Sequence, residues 1–292
     1  MKSVTRKPRT QEFLLMLRII RKSKLTLASI CILLFFYLLA ILAPYVSPND
    51  PRKSDATAVF APPSPKYPLG TDHLGRDLLS RISHGARYSL FAPLFIVAIT
   101  IIIGLPIGLM SGYFGGKLDQ VLMRITDIFL SFPGITLALL FAYILGRGVF
   151  SAAFALAIVG WPSMARIVRG VVLVEKEKDY VIAARLTGKG NLKIIFEEIL
   201  PNCLYPVIIQ SVMMMGTLII ALAGLSFIGV GVQPPEPDWG VIISEGRVYL
   251  LEYPWVSLIP GIIILVVVIA YNLLGDRVRD ALDPHLRSEL AV

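Results

Sequence analysis

The sequence is poor in the residues that build disulfide frameworks and metal sites. It contains two cysteines and three histidines among 292 residues. Cys31 and Cys203 lie far apart, each in or beside an apolar segment, so neither a disulfide framework nor a thiolate metal site is predicted. No pair of histidines has the i, i+4 spacing of a helical metal site. These absences argue against the disulfide-stapled and zinc-dependent classes of protein.

Charged residues are scarce as well. They make up 16% of the chain against 55% hydrophobic residues, and the mean hydropathy is +0.72. An average soluble domain contains about 25% charged residues, so this composition predicts a membrane protein. The formal net charge is +8, but the basic residues cluster between long apolar runs. Membrane topology therefore explains the charge, and nucleic-acid binding is not expected.

Six apolar segments are long enough to cross the roughly 30 Å hydrocarbon core of a bilayer as helices. They are residues 25–46, 88–110, 128–145, 149–165, 204–230 and 256–274. The first is too long for the apolar region of a signal peptide and is interpreted as an uncleaved anchor. The predicted fold class is an all-α polytopic membrane protein with six transmembrane helices.

The distribution of lysine and arginine predicts the orientation of these spans. With both termini in the cytoplasm, 20 of the 28 basic residues lie inside, as the positive-inside rule favours. The predicted organisation is a basic cytoplasmic segment 1–24, a first span 25–46, an extracytoplasmic loop 47–87, a five-helix core 88–274 and a cytoplasmic tail 275–292. Residues 13–20 carry apolar side chains at helical spacing, which is consistent with a helix on the membrane surface.

Catalytic patterns are missing. A phosphate-binding loop needs Gly-Lys-Ser/Thr, but Gly116-Lys117 is followed by leucine and Gly188-Lys189 by glycine. The central parts of the predicted spans contain no ionisable residue, which argues against ion coupling and against an intramembrane hydrolase. We expect no enzymatic activity and no cofactor or metal in this chain, so energy has to come from a partner.

The predicted outer segments have two features. Within 47–87, acidic and basic residues alternate at Asp72, Arg76, Asp77 and Arg81, with opposite charges four apart and like charges five apart, which is typical of an exposed helix with charge pairs in water. In the loop between the fifth and sixth spans, Trp239 and Trp255 suit the interfacial aromatic belt.

A polar hairpin, residues 179–202, interrupts the apolar spans on the cytoplasmic side. Its first helix is predicted to end at Gly188, since glycine readily adopts the left-handed conformation. Asn191 is predicted as the N-cap of a second helix that Pro201 closes. That helix carries an apolar stripe of Leu192, Ile194, Ile195 and Ile199. From the pattern alone, an amphipathic connector is as good an interpretation as a contact for another protein.

Several motifs resemble those of one transport family. Ala183, Ala184, Gly188, Ile195, Leu200 and Pro201 resemble the cytoplasmic signature of membrane subunits of binding-protein-dependent ABC importers. Ile182 and Glu198 depart from that signature, where glutamate and a basic residue are usual. The strings LGTDHLGRDLLSR, GVQPPEPDWG and NLLGDRVRDALDPHLR resemble segments of the dipeptide, oligopeptide and nickel branch, particularly the second permease of dipeptide systems.

The resemblance implies a type I ABC importer fold in the cell membrane, with the hairpin as the helix that couples to an ATPase. It also implies a homologous permease subunit, two cytoplasmic ATPase subunits that bind ATP and magnesium, and an extracytoplasmic substrate-binding protein, all amid membrane lipid. Dipeptides or oligopeptides are the expected cargo, with nickel or other metal chelates and glutathione-like compounds as alternatives; the substrate-binding residues are unknown. From another class, an ATP-independent channel or secondary carrier remains an alternative.

Overall fold

The computed structural model describes residues 23–282, and within that range the chain is helical, with a single isolated bridge between Thr71 and Asp77. The helices are α1 Lys24–Val46, α2 Leu78–Phe114, α3 Gly116–Leu130, α4 Gly134–Leu145, α5 Val149–Glu175, α6 Asp179–Leu186, α7 Asn191–Ile228, α8 Trp239–Gly246 and α9 Trp255–Leu282. Short 3₁₀ turns occur at Ala56–Ala58 and Arg247–Tyr249. The predicted basic segment at the N-terminus and most of the tail lie outside the described residues.

The predicted helical membrane fold is confirmed, with one change in its third span. Five helices, α1, α2, α5, α7 and α9, are long and apolar enough to cross a membrane. The predicted span 128–145 is divided between α3 and α4, which are bent by 91° relative to each other and make a sixth span if they are counted together. Pro133 lies at the break with an extended ψ of 119°, and it has no amide hydrogen to continue a helix. Hydropathy alone predicted one continuous span here.

The core of the bundle is the close packing of α2 against α5. Gly104, Gly108 and Gly112 repeat at every fourth position of α2, so they share one face of the helix. A Cβ atom added to Gly108 would lie 2.5 Å from the Ala165 carbonyl oxygen, and one added to Gly112 would lie 2.7 Å from the Val172 Cβ. Small residues allow helices in a membrane to approach this closely. The three glycines therefore form the glycine stripe along which α2 contacts α5.

The outer charged residues are buried, which corrects their prediction as a solvated face. Asp72 and Arg81 are each 0% exposed and Arg76 is 2% exposed. Arg76 Nε donates to Asp72 Oδ2 at 2.7 Å, and Arg81 Nη1 also bonds to that oxygen. Glu245 of α8 accepts from Arg76 at 2.9 Å and from Arg81 at 2.6 Å. The spacing did not predict this burial because the fourth member, Glu245, comes from a distant part of the chain.

The four residues Asp72, Arg76, Arg81 and Glu245 form the outer ionic cluster, which ties the loop after α1 to α8. Burial alone would raise the pKa of Asp72, but the charges of Arg81 and Arg76 outweigh it and leave the pKa below its ordinary value. Asp72 is therefore ionised in the folded protein. The ionised carboxylate of Asp72 forms buried ion pairs with both guanidinium groups, those of Arg76 and Arg81.

Trp239 is also buried rather than placed in an interfacial belt. It is 0% exposed, and its indole Nε1 donates to the Ile82 carbonyl oxygen at 3.1 Å. The preceding Asp238 caps α8 by accepting from the Gly240 amide at 3.0 Å and also accepts from Ser89 Oγ at 2.7 Å. Burial raises the pKa of Asp238. The start of α8 is thus seated against α2.

The glycine stripe leads to a stability prediction. Gly108→Ala should lower the stability of the protein by about 1–3 kcal/mol, because the new methyl group overlaps the α5 backbone. Gly170→Ala on α5 is the matched control, since nothing lies within 4 Å of its added Cβ. Thermal unfolding of both purified variants in detergent measures the difference, and equal midpoints would contradict the contact.

The outer ionic cluster leads to a second prediction. Arg81→Met should cost about 3–5 kcal/mol of stability, because it leaves the Asp72 and Glu245 carboxylates with the single guanidinium of Arg76 between them. Lys66→Met removes one exposed member of the Lys66–Asp55 pair and should cost no more than about 1 kcal/mol. Unfolding midpoints of the two variants would be compared, and an Arg81→Met value near that of Lys66→Met would refute the role of the cluster.

Candidate functional site

The hairpin of residues 179–202 has the predicted glycine corner. Gly188 has a φ of +78°, the left-handed conformation that glycine adopts at low cost. Its amide donates to the Arg185 carbonyl at 3.0 Å, and the Lys189 amide donates to the Ala184 carbonyl at 3.1 Å. This pair of bonds is a Schellman motif, which satisfies carbonyls at the end of α6. The turn that the sequence predicted is confirmed.

The second half of the hairpin differs from its prediction. Gly190 occupies the N-cap position without a side-chain bond, and Asn191 instead accepts a hydrogen bond from the Tyr113 hydroxyl at 3.0 Å. Pro201 does not close the helix, because it lies in the first turn of the α-helical part of α7, Leu200–Ile228. The segment Ile194–Ile199 immediately before it is π-helical. The hydrogen-bonding pattern already changes there, so a residue without an N–H is tolerated.

The inner face of the hairpin is clamped to the spans. Val181, Ile194 and Ile199 are fully buried, and Ile195 is 4% exposed. They pack in one apolar cluster with residues of α2 and α5, which are Leu109, Tyr113, Met164, Val168 and Val172. The second arm of the hairpin continues from this cluster directly into the span α7.

Polar contacts fasten both arms of the hairpin. Glu175 at the end of α5 accepts from Lys178 and from the Tyr180 hydroxyl, each at 2.5 Å. Lys189 at the corner bridges Glu197 at 2.7 Å and Glu198 at 2.6 Å. Hydrogen bonds to Glu197, which has the larger effect, and to Glu198 raise the pKa of Lys189. The acid that departs from the family signature, Glu198, therefore holds the corner against the second arm.

The opposite face of the hairpin is apolar and open. Four large side chains on it are exposed: Ile182 by 41%, Leu186 by 83%, Leu192 by 67% and Phe196 by 59%. We call these four residues the hairpin ridge. Scattered apolar residues are common on protein surfaces, but here each arm of one hairpin exposes two large apolar side chains four residues apart, on one face of its helix. Such a concentration outside the spans marks a candidate interaction site. The arrangement can bind another protein, and among the described residues no cluster of metal ligands exists anywhere.

The residues of the family signature differ in their exposure to solvent. Ala183 and Gly188 are exposed, Ala184, Leu200 and Pro201 are half-buried, and Ile195 is buried in the inner cluster. Leu192, predicted in the buried stripe with the isoleucines, lies on the ridge instead. Leu186 and Phe196 also lie on the surface, and the sequence pattern had not predicted this for either residue. The sequence nevertheless contains a sign of their exposure, because apolar residues occur on both sides of this short amphipathic segment.

The helical spans, with one sharply bent pair, and the hairpin with its exposed apolar ridge define a polytopic membrane protein. A family model described as "Binding-protein-dependent transport system inner membrane component" matches residues 104–288. The chain belongs to this family and is a permease component of an ABC transporter. A second model, "N-terminal TM domain of oligopeptide transport permease C", matches residues 13–63.

Curated relatives agree with this assignment over nearly the whole chain. The chain is 41% identical to the "Dipeptide transport system permease protein DppC" of Haemophilus influenzae, covering 91% of this chain and 92% of that protein. It is 40% identical to the "Glutathione transport system permease protein GsiD" of Pectobacterium atrosepticum, covering 93% and 90%. The fold is similar to a solved MetNI methionine ABC transporter chain, with a TM-score of 0.58, 22% identity and coverage of 69% of this chain and 96% of that chain.

The glycine corner leads to a third prediction. Gly188→Ala should weaken the local order of the hairpin by about 1 kcal/mol, because an alanine in the left-handed conformation is strained. Gly190→Ala is the matched control, since Gly190 has a φ of −66° and equally open space around it. Hydrogen exchange of the amides of residues 181–195 measures the effect, and equal exchange in both variants would contradict it.

Proposed function

We propose that this chain forms half of the translocation pathway of an ATP-driven importer for dipeptides or oligopeptides. Two similar permeases, from Haemophilus influenzae and Pseudomonas aeruginosa, are named as components of dipeptide and di/tripeptide transport systems, which supports this cargo. The similarity to a permease named for glutathione transport supports a glutathione-like compound as the alternative cargo. The other half of the pathway is a homologous permease subunit, and a substrate-binding protein delivers the cargo outside.

The hairpin ridge carries the proposal for coupling. Its four apolar side chains project from an element whose other face is locked to α2 and α5. An ATPase subunit with an apolar groove covers the ridge and shields it from water. Two such subunits bind ATP and magnesium, while this chain contributes no catalytic group. The positive-inside distribution of lysine and arginine supports a cytoplasmic location for the ridge and for both chain termini of this multi-pass inner-membrane protein.

The proposed mechanism is a population shift between two conformations of the assembly. ATP draws the ATPase subunits together, and the hairpin moves with the subunit to which the ridge is bound. Because the π-helical segment of the hairpin continues into α7, the motion reaches the membrane and changes which side of the pathway is open. ATP favours one conformation only because it interacts differently with the two.

The ridge leads to a fourth prediction. Leu186→Gln should weaken binding of the ATPase subunits about tenfold, because an interface residue near the centre contributes more than 1 kcal/mol. Leu251→Gln is the matched control, since Leu251 is 98% exposed at the other end of the molecule. Co-purification of the ATPase subunits and peptide-stimulated ATP hydrolysis in reconstituted vesicles measure the effect.

Two results would refute the proposal. One is unchanged ATPase binding and transport in a variant that carries Leu186→Gln and Phe196→Gln together. The other is downhill flux of peptide through vesicles that contain this chain alone, which would favour an ATP-independent channel or carrier. Circular dichroism of each variant establishes that the helices are intact.

A further inference from the structure

A two-part groove lies at the outer ends of α1 and α2, far from the hairpin. Its polar part is a cleft of about 620 Å³ lined by Ser47, Asp50, Arg52, His84, Arg87 and Glu236. Its apolar part is a groove of about 290 Å³ between α2 and α5, lined by Phe91, Phe95, Val149, Phe150 and Ala153. Arg87 and Tyr88 line both parts, so the two are adjacent.

The junction of the two parts lies at the edge of the membrane. The polar cleft includes Pro44 and Ser47 at the end of α1, where the chain leaves the span for the outer loop. From Tyr88 to Phe95 the groove follows α2 for about 10 Å, at 1.5 Å per residue. The groove therefore becomes apolar in the direction in which a bilayer changes from head groups to hydrocarbon.

Arg87 is fixed at this junction by the backbone of α1. Pro44 has no N–H, so the Ala40 carbonyl lacks its usual helical donor, and Arg87 Nε donates to it at 2.8 Å. Arg87 Nη2 donates to the Ile41 carbonyl at 3.2 Å. The side chain is exposed, and no carboxylate of residues 23–282 forms an ion pair with it. Its positive charge is therefore open to an anion in the cleft.

Of the two acids that line the cleft, one is in an ion pair and the other can accept from a ligand. Arg52 pairs with Glu236 at 2.6 Å, and Glu236 also accepts from the Tyr88 hydroxyl at 3.0 Å. Asp50 accepts from the Arg52 amide at 2.9 Å and has no side-chain cation paired with it in the described chain. The cleft thus presents one open guanidinium and one open carboxylate, a pattern complementary to a zwitterion.

The apolar part suits a hydrocarbon chain. Phe91, Phe95 and Phe150 are 41%, 38% and 69% exposed, and the rings of Phe95 and Phe150 meet edge to face with centroids 6.3 Å apart. These residues lie on membrane spans, where acyl chains are the surrounding solvent. A ligand that fills the whole groove needs a zwitterionic head and an acyl tail.

We propose that the groove binds a phosphatidylethanolamine molecule from the outer half of the bilayer. Arg87 holds the phosphate, since guanidinium groups bind phosphate oxygens with charge-assisted hydrogen bonds. Asp50 accepts from the primary ammonium, which choline head groups cannot provide. One acyl chain lies along the three phenylalanines. The bound lipid packs α1, α2 and α5 together at their outer ends.

Native mass spectrometry of the purified full chain in detergent tests this site with dioleoyl phosphatidylethanolamine, phosphatidylcholine and phosphatidylglycerol. The ethanolamine lipid is expected to bind most tightly as a single adduct. Arg87→Gln should weaken it about tenfold, as expected for the loss of one charged hydrogen bond. Asp50→Asn should abolish the preference for ethanolamine over choline, and Phe150→Ala should weaken all three lipids equally.

Arg247→Gln is the matched control, because Arg247 is an exposed outer guanidinium that does not line the groove. Equal effects of Arg87→Gln and Arg247→Gln would overturn the site. Tighter binding of phosphatidylglycerol than of phosphatidylethanolamine would overturn the zwitterionic head group. If Phe150→Ala leaves the binding of all three lipids unchanged, the apolar part holds no acyl chain and the proposal fails.

Discussion

The contact between α2 and α5 is the constraint on which the rest of the structure depends. Three glycines in successive turns of α2 allow the helix backbones to approach, and a methyl group at Gly108 would overlap the Ala165 carbonyl. The same two helices extend beyond the stripe to provide Tyr113 and Val172, against which the hairpin packs. The position of the hairpin is therefore set by how closely these spans pack. In a membrane, such packing replaces much of the hydrophobic driving force available in water.

The two ends of the molecule are held by different physical means. At the outer end, the ionic cluster joins α2 to α8, and Asp238 caps α8 while accepting from Ser89. Buried charges of this kind are costly to separate, so they fix one arrangement. At the inner end, the hairpin is held by apolar contacts together with the ion pairs of Lys178 and Lys189, which are more exposed than those of the outer cluster.

The elements that depend on local chemistry were predicted correctly from the sequence. The spans follow from hydropathy, because an apolar bilayer leaves the helix as the way to satisfy each backbone group within one segment. The corner at Gly188 follows from a property of glycine itself. The bend at Pro133 and the continuation of α7 through Pro201 were not predicted, although both positions carry a proline. A proline removes one hydrogen bond in either case, and only the neighbouring segments decide whether the helix turns or continues.

By itself the sequence determined the helical class, the apolar spans, the family and the left-handed turn, since each depends on residues close together in the chain. Only the tertiary structure decided that Arg81 and Trp239 are buried, because Glu245 and the Ile82 carbonyl are supplied by other helices. It also decided which apolar residues of the hairpin face the bundle and which form the ridge. Leu192 and Ile194 are two residues apart and equally apolar, but only Ile194 meets the surface of the spans. Burial is a property of the packed assembly of helices, and no single segment contains the information that fixes it.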